Sequence, residues 1–174
     1  MTSLSILVPV YNERYLVATS LGRLSVLEES PHLERVEVIV VDDHSSDGTP
    51  EVLQRFKEEQ TGRPGSRISW TFLRHERNQG KGGAIRTALE RATCDITVIH
   101  DADLEYHPKD LLRIAQVFVE EQADAVYGSR FAGGAVRRVL MYRHELGNRL
   151  LTFLTNMVTN LNITDMETCY KAVR

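Results

Sequence analysis

A layered α/β fold, with a largely parallel central sheet covered by helices on both faces, is what this sequence predicts. Short apolar runs alternate with segments of helical period along most of the chain. Each apolar run ends in a polar cluster at its carboxyl side, and such ends share one rim when strands run parallel. The length, 174 residues, fits one domain spanning 1–174.

Leu4–Val10 is the first strand, and Val17, Leu21 and Leu24 follow at i, i+4 and i+7 of a helix. Val36–Val41 is continuously apolar, as in a strand covered on both faces. Thr49 and Pro50 open a helix with a capping hydroxyl and a proline at its first position, and Val52, Leu53 and Phe56 form its inner side. Gly62–Ser66 is a loop. Ile68–Leu73 is the third strand, and Ile85, Ala88, Leu89 and Ala92 mark the next helix. Ile96–His100 is the fourth strand. Pro108 starts a helix with Leu111, Ala115, Phe118 and Val119 inward, and Ala125–Tyr127 is a short fifth strand.

After Gly128 the alternation breaks. A basic loop, 129–143, precedes a long helix carrying Leu146, Leu150, Phe153, Leu154, Met157, Val158 and Leu161 on one side. That side is expected to pack on the sheet; the alternative is an amphipathic helix offered to lipid. Cys169–Val173 reads as another strand, and the stop at Arg174 inside it suggests a C-terminally truncated chain. There are no repeats and no second domain.

Hydrophobic content of 42% and charged content of 26% are ordinary for a globular chain, and a net charge of −3 makes no case for nucleic acid. Between Ser129 and Arg149, five arginines face the single acid Glu145, about +4, which leaves about −7 for the remainder. Such a segment suits a local anionic partner, a phosphate or an acidic membrane surface. Arginine outnumbers lysine 17 to 4, a bias that phosphate binding and a GC-rich genome explain equally well. Cys94 and Cys169 are too few and too far apart for a disulfide framework or a zinc site. With no charged leader and no window near the ~20 apolar residues of a spanning helix, the chain is expected in the cytoplasm.

The sharpest chemical signal is Asp101-Ala102-Asp103, closing the fourth apolar run. On an extended backbone, Asp101, Asp103 and Glu105 project to the same face. Grouped carboxylates repel unless a cation lies between them, and an oxygen-only set suits Mg²⁺ or Mn²⁺ rather than zinc. Lys81 sits in a glycine-rich turn opening a helix, a place suited to phosphate oxygens. That turn is not a Walker A loop, since His75 stands where its first glycine is required, and no GxGxxG is present. His32, His75 and His144 are expected in solvent, His100 alternates away from the metal face, and Trp70 is a packing residue.

The motifs PVYNE, VDDHSSDGT, NQGKGGAIR, DADLEYHP, YGSRF and TDMETCYKAVR resemble, in this order, the inverting family-2 glycosyltransferases of GT-A fold. Within that family they are most similar to the polyprenyl-phosphate (dolichol-phosphate) sugar synthases. The departures are His44 where glycine is common, Glu105 where glutamine is, and Tyr170-Lys171 where Phe-Arg is usual. The resemblance implies a GT-A (Rossmann-like) three-layer α/β/α domain. It implies that Pro9, Tyr11, Asn12 and Glu13 line the nucleoside pocket, while Asp42 or Asp43 accepts a hydrogen bond from the base. Uracil and guanine both offer a ring N–H, so the aspartate does not tell them apart.

Ser45, Lys81, Asp101 and Ala102 join the nucleotide-sugar site by the same resemblance, with the ion on Asp101, Asp103 and Glu105. Asp103, Arg130 and Asp165 are the implied catalytic residues, with Arg130 on phosphate. Asp165 is a general base if the acceptor is a hydroxyl, and an orienting group if it is an already ionised lipid phosphate. Arg137, Arg138 and Arg143 fall on the acceptor side. The implied reaction, in cell-envelope or glycan synthesis, moves a sugar from a UDP-glucose-type or GDP-mannose-type donor to a polyprenyl phosphate, with peripheral contact at the cytoplasmic face of a membrane. The alternatives are a saccharide or protein hydroxyl acceptor, or a non-catalytic nucleotide-sugar-binding fragment.

Overall fold

The computed structural model describes residues 1–60, 65–131 and 142–174. The alternation appears as β1 (Thr2–Val10), α1 (Val17–Arg23) running into a 3₁₀ turn (Leu24–Glu29), β2 (Leu33–Asp42), α2 (Thr49–Gln60) and β3 (Ile68–Arg74). It continues as α3 (Gly80–Leu89), β4 (Ile96–Ile99), α4 (Lys109–Glu120), β5 (Ala125–Tyr127), α5 (Tyr142–Thr159) and β6 (Lys171–Val173). Most of the Gly62–Ser66 loop and positions 132–141 lie outside the described residues.

The six strands form one sheet in the order β3-β2-β1-β4-β6-β5. β1 pairs in parallel with both β2 and β4, and β2 with β3, while β6 runs antiparallel between β4 and β5. The sheet is therefore mostly parallel, with one reversed strand near an edge.

The two-residue period of the strands divides the core. Leu4, Ile6, Val8 and Val10 of β1 and Val36, Val38 and Val40 of β2 face α1, α2 and α4. Leu7, Ile39 and Val41 face the opposite way, against Ala84 and Ala88 of α3. Small alanines let α3 approach the sheet closely. Fully burying each large aliphatic side chain stabilises by about 1.5–3 kcal/mol, so Ile6→Ala in the larger core is a costly change, about 2–5 kcal/mol. Trp70 packs edge-on against Phe56, with ring centroids 5.1 Å apart.

Two local expectations change. Thr49 does begin α2, but its hydroxyl does not cap the helix. Asp47 Oδ1 accepts the Thr49 N–H at 3.1 Å and its hydroxyl at 2.6 Å, while Thr49 Oγ1 accepts the Glu13 N–H at 2.9 Å. The threonine thus ties the β1 loop to α2. His44, at a position where the resemblance favours glycine, takes a left-handed backbone with φ 64, which explains that preference.

The larger correction is α5. Its apolar side does not pack on the sheet: Leu146, Leu150, Phe153, Leu154 and Met157 are exposed, and Val158 is 86% exposed. The inward side is polar, with Asn148 and Thr152 buried. Asn148 Oδ1 accepts the Glu167 N–H, Thr152 Oγ1 accepts the Met166 N–H, and Asn156 exchanges two hydrogen bonds with the Ile163 backbone. Periodicity locates an apolar stripe but not its partner, and here the segment before β6 offers unpaired amides that only a polar helix face satisfies.

Candidate active site

Parallel register brings the polar clusters together. Val10 of β1 lies opposite Asp42 of β2, and Leu7 opposite Ile99 of β4, so the loops after these strands and the start of α3 share the carboxyl rim. There they enclose a cavity of about 380 Å³. Pro9 lines it from the end of β1 and Tyr11 and Glu13 from the loop after it, Asp43 from just past β2, Asn78 from the loop before α3, Gly80 and Lys81 from the start of α3, and Asp101, Ala102 and Asp103 from the loop after β4.

The neighbours Asp42 and Asp43 part company. Asp43 is buried and faces the cavity. Its Oδ1 accepts the Gln79 N–H at 2.8 Å and lies 2.7 Å from His75 Nδ1. Burial alone raises the Asp43 pKa, but the Gln79 amide, the His75 ring and the Gly80 amide outweigh it and hold the carboxyl below its ordinary range. Asp42 does not line this cavity. Its Oδ1 accepts the Ser45 N–H at 3.0 Å, its Oδ2 lies 3.2 Å from Arg74 Nε, and it borders a separate groove between α2 and β3.

Asn12 and Ser45 also stand behind the cavity wall. The Asn12 N–H donates to Ser45 Oγ at 2.9 Å, and Asn12 Oδ1 accepts the Ser46 N–H at 2.9 Å. They clamp the β1 loop to the β2 loop. Asn12 has φ 56, a conformation that asparagine adopts more readily than most residues.

At the other end of the cavity, the expected row of Asp101, Asp103 and Glu105 is not formed. β4 ends at Ile99, and Leu104, with φ 62, turns the chain off the extended path. Asp103 Oδ1 instead accepts the Glu105 N–H at 2.9 Å, and Glu105 is not part of the cavity wall. Among the described residues no three His, Cys, Asp or Glu side chains converge as a metal-ligand group. Asp101 and Asp103 remain as two oxygen donors on one wall, a set suited to a hard cation completed by phosphate and water.

The charge of the cavity is one-sided. Four carboxylates, Glu13, Asp43, Asp101 and Asp103, line it with the single ammonium of Lys81. Lys81 Nζ pairs with Asp101 at 2.7 Å. Burial would lower the lysine pKa, but Asp101 outweighs it and the value is raised. Glu13 is pushed upward by burial and then by Asp103, Asp47 and Asp101. Negative charge therefore accumulates where an anionic ligand would enter.

Arg130, after β5, lies outside that lining and is fixed by Asp165. Its Nε and Nη2 donate to Asp165 Oδ2 and Oδ1 at 2.8 and 2.9 Å, and its backbone N–H adds a third bond at 3.0 Å. Asn148 Nδ2 and the Glu167 N–H complete the shell of Oδ1. Asp165 is fully buried, and although burial raises its pKa, the Arg130 bonds and then Asn148 hold it low. Bonds to Asp165 raise the Arg130 pKa in turn. A carboxylate so saturated orients the guanidinium and has no lone pair aimed at a ligand.

Beneath the Asp101 turn lies a polar core. His100 points away from the cavity, between Ser20 Oγ at 3.2 Å and the Tyr170 hydroxyl at 3.1 Å. Burial pushes its pKa down to about 4, against the pull of Asp101 and Asp103. Tyr170, where phenylalanine is usual, thus gives the buried ring a polar partner. Cys169 Sγ accepts the Asp101 N–H at 3.2 Å.

The structure thus brings Pro9, Tyr11, Glu13, Asp43, Lys81, Asp101, Ala102 and Asp103 to one cavity, and leaves Asn12, Asp42, Ser45, Glu105, Arg130 and Asp165 out of its lining. Arg143 is exposed on the first turn of α5, and Arg137 and Arg138 lie outside the described residues. Two neighbours were not foreseen. Asn78 lines the cavity and donates to the Asp43 carbonyl at 3.2 Å. His75, expected in solvent, is buried against Asp43; only its nearness to the Asn78–Lys81 turn hinted at this.

The profile of glycosyl transferase family 2 matches residues 5–174. The chain is 26% identical over 96% of its length to a UDP-N-acetylglucosamine–dolichyl-phosphate N-acetylglucosaminyltransferase of Methanococcus voltae, spanning 67% of that protein. It is 30% identical over 98% of its length to an undecaprenyl-phosphate 4-deoxy-4-formamido-L-arabinose transferase of Edwardsiella ictaluri, spanning 48% of it. Among solved structures, it is similar to a mannosyltransferase from Pyrobaculum calidifontis in complex with GDP-Man and Mn²⁺. That match has a TM-score of 0.58 and 30% identity, over 71% of this chain and 34% of the other. The chain thus spans from about a third to two thirds of the length of these relatives.

Proposed function

Because the chain belongs to glycosyl transferase family 2, we propose that it transfers a sugar from a nucleoside diphosphate to a polyprenyl phosphate. The carrying observation is the charge layout of the rim cavity, four carboxylates around one ammonium. Such a site admits a diphosphate only together with an added cation.

In this reading Asp43 accepts the ring N–H of the base, and Pro9 and Tyr11 border the nucleoside. Asp101 and Asp103 would hold Mg²⁺ or Mn²⁺, which supplies positive charge against the diphosphate as it leaves. Lys81 exchanges its bond to Asp101 for phosphate oxygens. Arg130, oriented by Asp165, receives the acceptor phosphate. An acceptor oxygen forms its bond to the anomeric carbon while the bond to the diphosphate breaks on the opposite face, which inverts that centre. An ionised phosphate needs no general base, in keeping with the saturated Asp165 carboxylate.

The lipid acceptor draws support from the dolichyl- and undecaprenyl-phosphate transferases among the relatives. It is also supported by the outward apolar side of α5 next to the arginine-rich stretch 129–149. Among the described residues no helix is long and apolar enough to cross a membrane, and the contact proposed for this domain lies at a cytoplasmic face.

The test is a transfer assay with UDP- and GDP-sugars and Mn²⁺, offering a short polyprenyl phosphate beside soluble saccharides. Labelled lipid is the expected product. Product on saccharide alone moves the acceptor to a hydroxyl. Nucleotide binding without transfer or hydrolysis makes the chain a binding module.

A further inference from the structure

His75 follows β3 at the head of the loop that leads into α3 and is buried, although nothing in the proposed chemistry uses it. Its two ring nitrogens are both engaged. Nδ1 lies 2.7 Å from Asp43 Oδ1, and Nε2 lies 2.9 Å from the Thr87 hydroxyl on α3. An ionised carboxylate only accepts, so Nδ1 carries a proton and donates to Asp43, while Nε2 pairs with the Thr87 hydroxyl. The ring is thereby fixed at both ends.

This arrangement acts on one atom. Asp43 Oδ1 takes both the His75 N–H and the Gln79 N–H. Oδ2 takes neither bond, and Asp43 faces the cavity. These two donors on one oxygen, with the Gly80 amide beside them, fix the plane of the carboxylate and keep it ionised. Its other oxygen is then an acceptor and nothing else.

We propose that His75 is a positioning residue for base selection, holding Asp43 as an acceptor-only group so that the cavity favours bases with a ring N–H, uracil and guanine, over cytosine and adenine. Cytosine N3 and adenine N1 are acceptors, and they meet Asp43 Oδ2 with lone pair against lone pair. The inference rests on the reading of Asp43 as the base contact. Without the imidazole, the carboxylate is free to rotate or to take up a proton, and a protonated carboxyl donates as well as accepts.

Calorimetric titration of UDP, GDP, CDP, ADP and pyrophosphate, each with Mn²⁺, tests it on the wild type, His75→Leu, His75→Asn, Thr87→Val and Asp43→Ala. In His75→Leu the preference for UDP and GDP over CDP and ADP should fall roughly tenfold, the scale of one hydrogen bond to a charged group. Pyrophosphate affinity should stay within about twofold by the same measure. His75→Asn, whose amide can replace the Nδ1 donor, should restore most of the preference. If His75→Leu does not fold, Thr87→Val carries the test, with a smaller fall at unchanged pyrophosphate affinity. A wild-type preference in the His75 and Thr87 variants overturns the inference while leaving the Asp43 reading intact, provided Asp43→Ala loses the preference. An unchanged preference in Asp43→Ala overturns the reading beneath it. Parallel loss of pyrophosphate and UDP affinity reduces His75 to a structural role and also overturns the inference.

Discussion

Lys81 Nζ lies 2.7 Å from each carboxylate oxygen of Asp101, so the ammonium straddles the group proposed to hold a divalent ion. In the proposed function the lysine and the ion compete for one carboxylate until a diphosphate draws the lysine away. Lys81→Met should therefore raise Mn²⁺ affinity in the absence of nucleotide, several-fold by electron paramagnetic resonance of free Mn²⁺. The same variant should weaken nucleoside diphosphate binding roughly tenfold, through the lost charge-assisted contact. Unchanged Mn²⁺ affinity would show that the two do not compete.

The second prediction removes the other donor. Asp103→Ala should lower UDP or GDP affinity at least roughly tenfold in Mn²⁺, and chelator should bring the wild type to the same level. Equal affinity in chelator, with wild-type behaviour of the variant, rules out an ion on Asp101 and Asp103.

The adjacent aspartates separate cleanly by substitution. Asp43→Ala should weaken nucleotide binding ~10- to 100-fold by calorimetry, the worth of a hydrogen bond to a charged acceptor. Asp42→Ala leaves the Ser45 amide and Arg74 without their carboxylate, and should lower the melting temperature more than it lowers affinity. The reverse pattern assigns the base to Asp42.

The strands and the rim were legible because each strand is an apolar run closed by polar residues, and Leu4–Val10 or Ile68–Leu73 permits hardly any other reading. Asp43, Lys81 and Asp101 were legible for the same reason, lying at strand ends or a helix start. Glu105 was misplaced because alternation holds only while the backbone stays extended, and Leu104 ends that with a positive φ. His75 was missed because burial of a loop residue depends on a partner 32 positions away. On α5, a polar stripe at Asn148, Thr152 and Asn156 was as periodic as the apolar one. Only the shape of the 163–168 segment decided which of them turned inward.

Acid titration offers a fourth prediction through Asp165. Its carboxyl is held below the ordinary value in the fold, so the unfolded chain binds that proton more readily. The pair stabilises fully above about pH 4, the unfolded value, and the contribution is lost as pH falls through the depressed folded value. Asp165→Asn should cost about 3 kcal/mol at neutral pH by removing the buried counter-ion of Arg130 and leaving it only the more distant, half-exposed Glu167. Between pH 5 and 2, the urea midpoint of the variant should fall less steeply than that of the wild type. Parallel slopes would remove Asp165 from the acid transition.

The last prediction concerns the outward side of α5. Cosedimentation with anionic vesicles should show weak binding that falls with added salt, since two arginines near such a surface contribute only ~1 kcal/mol each. Arg137→Ala with Arg138→Ala should weaken it, and so should Leu150→Ser with Phe153→Ser, while nucleotide affinity holds in both. Because Leu150 and Phe153 are already exposed, the second pair should leave the melting temperature within a few degrees of wild type. Absence of binding at low salt, together with transfer to a soluble saccharide, removes the lipid surface from the proposed function.

The reversed strand gives the sheet a calendar. Among the described residues β5 bonds only to β6, and β6 is seated between β5 and β4. Residues 125–127 therefore leave the ribosome more than forty positions before the strand that admits them to the sheet. Until residues 171–173 arrive, one side of β4 remains without its neighbour, while β1, β2 and β3 can already be zipped together. Arg130 is bound to the same timetable, because Asp165 emerges only just ahead of β6. The half of the molecule that holds Asp43 can be finished early in synthesis; the half that orients Arg130 is assembled last.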